Sequence, residues 1–266
     1  MKKLFAGTIA LIAPVLVAPV AHAQKWADIT MTVVLDGKAP APKMAQNVNA
    51  QQCSTTAAGL ALEDLVVNPK NSGIANIVFS IDTRKTKLTS SDIHPDLREV
   101  PKTKPVLDNV KCQFIPHVMS MRAGQILEVK NSDSIPHNAK FASFENKEEN
   151  PTIAANSSVD IARPLVEKAV TKVECNIHPW MSAYIFVLDH PYIGVSNADG
   201  KIKIEKLPAG VDLDFRIWHE NQDKSIEEVK INGKKETWSK GNIKLKLKEG
   251  ANDLGTVTID VGRFKK

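Results

Sequence analysis

Hydrophobic and polar residues alternate near the start of the chain. Ile29, Met31, Val33 and Leu35 fall on one side of residues 29–35, and Thr30, Thr32 and Val34 on the other. A period of two with Thr and Val content predicts a strand. Asp36-Gly37-Lys38 supplies a turn after it, and Pro40 and Pro42 stop it. Residues 65–67 and 74–81 predict two more strands, separated by the turn-rich 68–73. Residues 83–105 are polar, Lys-rich and broken by prolines, and they predict a long connection. Strands are predicted again at 126–130, 170–174 and 184–188, with a polar connection at 146–158. Residues 195–210 read as turn, alternating strand and turn, alternation returns at Leu213, Phe215 and Ile217, and closing strands are expected at 240–248 and 256–261. No helical periodicity of useful length and no fixed-spacing repeat occurs, so the expected fold class is all-β.

Composition adds a compartment. Met1-Lys2-Lys3, an apolar run over 4–20 and Ala21-His22-Ala23 have the order of a secretory signal peptide. The mature chain is expected from about Gln24, periplasmic or secreted. No Cys follows the cleavage point to carry a lipid. No later run approaches the ~18 apolar residues of a membrane helix, so stable membrane insertion is not expected. The formal charge of +5 becomes +3 once Lys2 and Lys3 are removed (5 − 2). With lysines spread among acids and 5% aromatics, this describes solvated faces rather than a nucleic-acid surface.

The chemistry concentrates in residues 173–181, Val-Glu-Cys-Asn-Ile-His-Pro-Trp-Met. Cys175, His178 and Met181 stand at Cys-x2-His-x2-Met, and Pro179 breaks both strand and helix phase. The spacing suits a tight loop with converging side chains. Thiolate, imidazole and a weak thioether are three of the ligands of a blue-copper centre, which also needs a second imidazole. Upstream, residues 131–138 read Asn-Ser-Asp-Ser-Ile-Pro-His-Asn and offer His137. Singly, a Cys is a small buried hydrophobe, a His a satisfied structural residue and a Met core filler. The paired motifs are what point to a metal.

Together they resemble a cupredoxin over about 110–190, with a ligand loop similar to that of amicyanin. The resemblance implies a Greek-key β-sandwich binding one type 1 copper ion through His137, Cys175, His178 and Met181. It implies His178 as the solvent-edge ligand and Asn138 as the position that ties the two ligand loops by backbone hydrogen bonds. Trp180 is either part of an apolar docking patch or ordinary packing. The whole chain also resembles larger bacterial proteins labelled "methylamine utilisation protein", a label that establishes no pathway. Residues 32–38 with 73–79, and later 195–217, resemble the two halves of a transthyretin-like, carboxypeptidase-regulatory-type β-sandwich. The expected organisation is a signal peptide (1–23), an N-terminal β part (24–105), a cupredoxin domain (106–190) and a C-terminal β part (191–266). The cupredoxin is then inserted in the second sandwich or in series with it. The implied function is single-electron transfer between redox partners such as a cytochrome or dehydrogenase. The alternative is copper sequestration or delivery. Only one blue-copper ligand set is visible, so an enzyme with a second copper is not expected.

Cys53 and Cys112 remain. Their even number in an exported compartment favours a disulfide over two free buried thiols. His117, His190 and His219 are expected to be structural, and His94 has a minor claim to a metal. His219-Glu220 lacks the second His of a zinc-protease helix, and no Cys-x-x-Cys-His haem site occurs.

Overall fold

The computed structural model describes residues 24–49, 52–53 and 59–265. The expected signal peptide lies outside them. The first strand, β1 (Trp26–Asp36), buries every second residue from Ala27 to Leu35, as its alternation predicts. β2 (Val78–Ile81) follows. A central series comprises β3 (Val106–Val110), β4 (Gln113–Ile115), β5 (Val118–Arg122), β6 (Ile126–Asn131), β7 (His137–Asn138), β8 (Lys140–Ala142), β9 (Thr152–Ile153), β10 (Ser157–Ala162), β11 (Thr171–Glu174) and β12 (Ser182–Leu188). The last series comprises β13 (Ile193–Val195), β14 (Lys201–Pro208), β15 (Asp212–Trp218), β16 (Glu228–Ile231), β17 (Lys234–Thr237), β18 (Asn242–Lys246) and β19 (Gly250–Asp260). The one α-helix among the described residues is the single turn α1 (Pro95–Arg98). The chain is therefore all-β.

Two sandwiches result. In the first, one sheet runs β14-β1-β19-β16-β17 and the other β13-β2-β15-β18. Its core holds Ile29, Val33, Ile77 and Phe79 from the early chain, and Tyr192, Phe215, Trp238 and Ile259 from the late chain. β1 pairs antiparallel with β14 and parallel with β19. The contact is close: a Cβ on Gly200 would stand 2.1 Å from the Val33 carbonyl oxygen. In the second sandwich, β10-β6-β3-β4 faces β5-β12-β11-β8, with β7-β9 as a short ladder at one end. Its core includes Leu107, Phe114, Leu127, Phe141, Val173 and Ile185.

Two expectations shift. Residues 65–67 form no strand, and Val67 makes only an isolated bridge to Ile74. Asn68 folds the chain back through Ser72 N–H to Asn68 O and Asn68 N–H to Gly73 O. The expected strand 74–81 begins only at Val78. Asn76 stands at φ 64° and Ile77 N–H donates to Ser196 Oγ at 2.8 Å, so the ladder cannot start earlier. Ile74 and Ile77 are apolar because they are buried, not because they pair in a sheet. The hairpin β16–β17 has no apolar alternation on its exposed second strand. It turns on Asn232-Gly233, both at positive φ, the backbone of a tight hairpin turn.

Candidate metal centre

β6 ends at Asn131, whose fully buried amide braces the following loop. Its Nδ2 donates to Ile135 O at 2.8 Å, Ala154 O at 3.0 Å and Ile153 O at 3.1 Å. Its Oδ1 accepts from Asp133 N–H at 3.0 Å. The loop thereby delivers His137 onto β7, where it is wholly buried. The second loop leaves β11 at Cys175 and rejoins the sheet at β12. Cys175 N–H donates to Met181 O at 3.3 Å and Met181 N–H to His178 O at 2.9 Å. The pinch places Cys175, His178 and Met181 on one short arch, with Cys175 and Met181 each 2% exposed.

The loops meet at three donor atoms. Cys175 Sγ lies 4.0 Å from His137 Nδ1 and 3.7 Å from His178 Nδ1. One ligand atom from each of the three residues lies within 4.8 Å of the other two. Met181 is buried in the same core cluster as Cys175. The two imidazole rings stand 4.6 Å apart between centroids.

Asn138 ties the loops, as expected, but with its side chain. Its Oδ1 accepts from Asn176 N–H at 2.9 Å and Ile177 N–H at 3.3 Å, with the Cys175 thiol at 3.4 Å. Asp133 was not singled out from sequence and proves central. Its Oδ2 stands 2.9 Å from His137 Nε2 and accepts from Cys112 N–H at 2.8 Å, while Oδ1 accepts from Lys111 N–H at 2.6 Å. A carboxylate only accepts, so Nε2 carries the ring proton and Nδ1 keeps its lone pair toward Cys175. The signal available was the Asp133/His137 spacing of four within the motif.

Burial lowers the pKa of His137, against the opposing pull of Asp133. Burial and then His137 lower that of His178, again with Asp133 opposing. Both rings are held neutral near pH 7, the form that ligates metal.

Cys53 and Cys112 are bonded, with Cα atoms 5.2 Å apart, and both are buried. Trp180 Nε1 donates to Cys112 O at 3.1 Å, and the ring packs against the core cluster. The remaining described histidines stand apart from the group. His94 caps α1, its Nδ1 accepting from Asp96 N–H at 3.2 Å. His190 Nδ1 accepts from Tyr192 N–H at 3.1 Å and His219 Nδ1 from Asn221 N–H at 3.2 Å. Burial pushes the pKa of both down to about 4. His117 differs: it joins the two sandwiches, with Nε2 on Glu220 and Nδ1 3.7 Å from Glu63.

The donor set fits copper of the blue type: two neutral imidazoles and one cysteine sulfur, with a buried thioether on the same arch. No protein-family model matches the chain, and no curated protein matches it. Among solved structures it is similar to a copper-containing nitrite reductase from Thermus scotoductus SA-01, at 18% identity and TM-score 0.31, over 36% of this chain and 25% of that one. The match thus spans about a quarter of that reductase. It is similar to a Cu(I) form of an amicyanin variant at 19% identity and TM-score 0.30, over 34% of this chain and 87% of that one. A purple cupredoxin from Nitrosopumilus maritimus aligns at 17% identity and TM-score 0.28, over 32% and 100%. Likenesses at this level are similarity alone, and the assignment of the centre stands on its residues.

Proposed function

We infer that the chain is an exported type 1 copper protein that carries single electrons between redox partners, with His137, Cys175, His178 and Met181 as its ligands. The observation that carries this is the convergence of two imidazole Nδ1 atoms on Cys175 Sγ, at 4.0 and 3.7 Å. Bound there, copper supplies one-electron redox chemistry.

The surrounding residues keep that chemistry fast and confined. A small geometric change between oxidation states requires ligands that do not move. His137 is fixed by Asp133 and Asn131, and Cys175 by its position between β11 and the Asn138 tie. Burial of His137, Cys175 and Met181 keeps water from the donors. His178 is half-buried and forms the accessible edge, beside Ile177, which is 50% exposed. That edge suits brief docking of a redox protein such as a cytochrome or dehydrogenase.

The test is optical. The full mature chain, loaded with Cu(II), is expected to show an intense visible thiolate-to-copper band and a matching EPR spectrum. Cys175→Ser is expected to lose both while still folding. A colourless wild type, or a blue band that survives the Cys175→Ser change, sinks the assignment.

A further inference from the structure

A second group of soft donors adjoins this centre. The sulfurs of Cys53 and Cys112 and a ring nitrogen of His178 all lie within 4.8 Å of one another. Bonded together, the two sulfurs hold no metal. Opened, they become two thiols directed at one imidazole. Thiolates with an imidazole are a soft set that selects Cu(I) over harder ions.

We propose that the dithiol form of Cys53 and Cys112, together with His178, is a Cu(I)-binding site. It shares His178 with the Cys175 centre and serves as the position from which that centre is loaded. The loading role rests on the function inferred above; the binding itself does not.

Three features carry this. The first is that Cys112 is positioned without help from its sulfur. Its N–H is held by Asp133, and its carbonyl by Trp180. Opening the bond therefore leaves the Cys112 backbone in place beside both histidines, since Cys112, Asp133 and His137 also lie within 4.8 Å of one another. The second is access. Cys53 and His178 line one open groove of about 630 Å³, whose walls include Met44, Ile177, Pro179 and Trp180. Met44, 39% exposed, adds a neutral thioether on that wall. It is pinned by its bridge to Ala61. The third is continuity. His178 Nδ1 is 3.7 Å from Cys175 Sγ, so the two donor sets adjoin without a gap. A bond that only stapled the chain would need none of these three.

The redox step balances with an external dithiol. Its thiolate attacks one sulfur, a mixed disulfide forms, and the second thiol resolves it. Two electrons and two protons pass to Cys53 and Cys112, and the reagent leaves as a disulfide. Before the bond first forms, the newly exported chain already holds both thiols. Binding Cu(I) releases the thiol protons to water. When an external disulfide takes back two electrons, the Cys53–Cys112 bond re-forms and the ion loses both thiolates, with Cys175 as the nearest remaining sulfur.

The experiment uses the full mature chain carrying Cys175→Ser, so that the first centre contributes no thiolate. Reduced anaerobically with a phosphine, it is titrated with Cu(I) against bicinchoninate. One Cu(I) per chain is expected, held at least 100-fold more tightly than by the oxidised protein. Adding Cys53→Ser and Cys112→Ser is expected to abolish that difference. Adding His178→Ala instead is expected to weaken binding at least tenfold. A reduced chain that holds Cu(I) no better than the oxidised one overturns the proposal. So does a His178→Ala change without effect, since two cysteines of an unfolded chain would bind without regard to His178. A blue oxidised wild type together with either negative result removes this inference alone and leaves the Cys175 centre standing.

Discussion

Replacing Asp133 by Ala tests how the centre is prepared before any metal arrives. The carboxylate accepts three hydrogens, from Lys111 N–H, Cys112 N–H and His137 Nε2. Asparagine is a weak test, because its amide can turn its oxygen to the Oδ2 position and go on accepting from both Cys112 N–H and His137 Nε2. The Asp133→Ala variant removes every acceptor. The N–H of Cys112, a fully buried residue, is left unsatisfied, a cost of about 1–3 kcal/mol. His137 loses the partner that holds its proton on Nε2 and keeps Nδ1 free toward Cys175. The loss expected for such a supporting group is about 10–100-fold in metal affinity, or about 1.4–2.7 kcal/mol. Urea unfolding of the metal-free protein reads the first effect, and chelator competition for Cu(II) the second. If D133A binds copper within a factor of two of the wild type, Asp133 does not set the tautomer and this account of the site is wrong.

Three further outcomes are expected. Glu167 accepts from the N–H groups of Phe144, Glu145 and Asn146 and from the Asn146 amide. Burial pushes its carboxyl up, but these bonds outweigh it and hold the pKa below the usual range. A depressed folded value gives stability that is present above the unfolded value and lost as pH falls through the folded one. Glu167→Gln should therefore cost about 1–3 kcal/mol in urea at pH 7, and less as pH falls through the folded value; a cost that stays constant as pH falls would refute it. Burial lowers the pKa of His117, yet the bond and charge of Glu220, with Glu63, raise it overall. Its contribution is then complete below the unfolded value of about 6.5 and lost as pH rises through the folded one, and NMR titration should find that folded value above 6.5 and lower in Glu220→Gln. We propose that the flanks fold as one unit, because β1 pairs with β14 and β19. Residues 24–82 alone should be unfolded, while the flanks joined by a Gly/Ser linker without residues 106–190 should fold; a cooperative transition from 24–82 alone would argue for serial units.

What the sequence reveals here depends on whether a signal is local. The alternation at 29–35 became β1 because period two survives wherever one face is buried. The run at 74–81 misled at its start because continuous burial is compatible with many backbone paths. The donors His137, Cys175 and His178 were legible because each motif is confined to a few residues around a loop. The support for those donors was not. Asp133 acts on His137 four residues on, but it also acts on Lys111 and Cys112 from a different strand pair, and only the folded sheet brings them together.

The same distinction explains why the Cys53–Cys112 pair reads differently once folded. By parity and compartment it is a staple, closing a sequence separation of 59 residues; a loop of that length corresponds to about 4 kcal/mol in the chain-entropy model. That value is indifferent to where the staple sits. Its place beside His178, its tether through Asp133 to His137 and its groove to solvent are properties of position, invisible to any count of cysteines. The Cys112 backbone is held by Asp133 and Trp180 without help from the sulfur, so opening the bond removes the staple and leaves the brace on His137 in place. Staple and brace meet at one residue but are separable: its sulfur closes the loop, and its N–H steadies the carboxylate that orients His137.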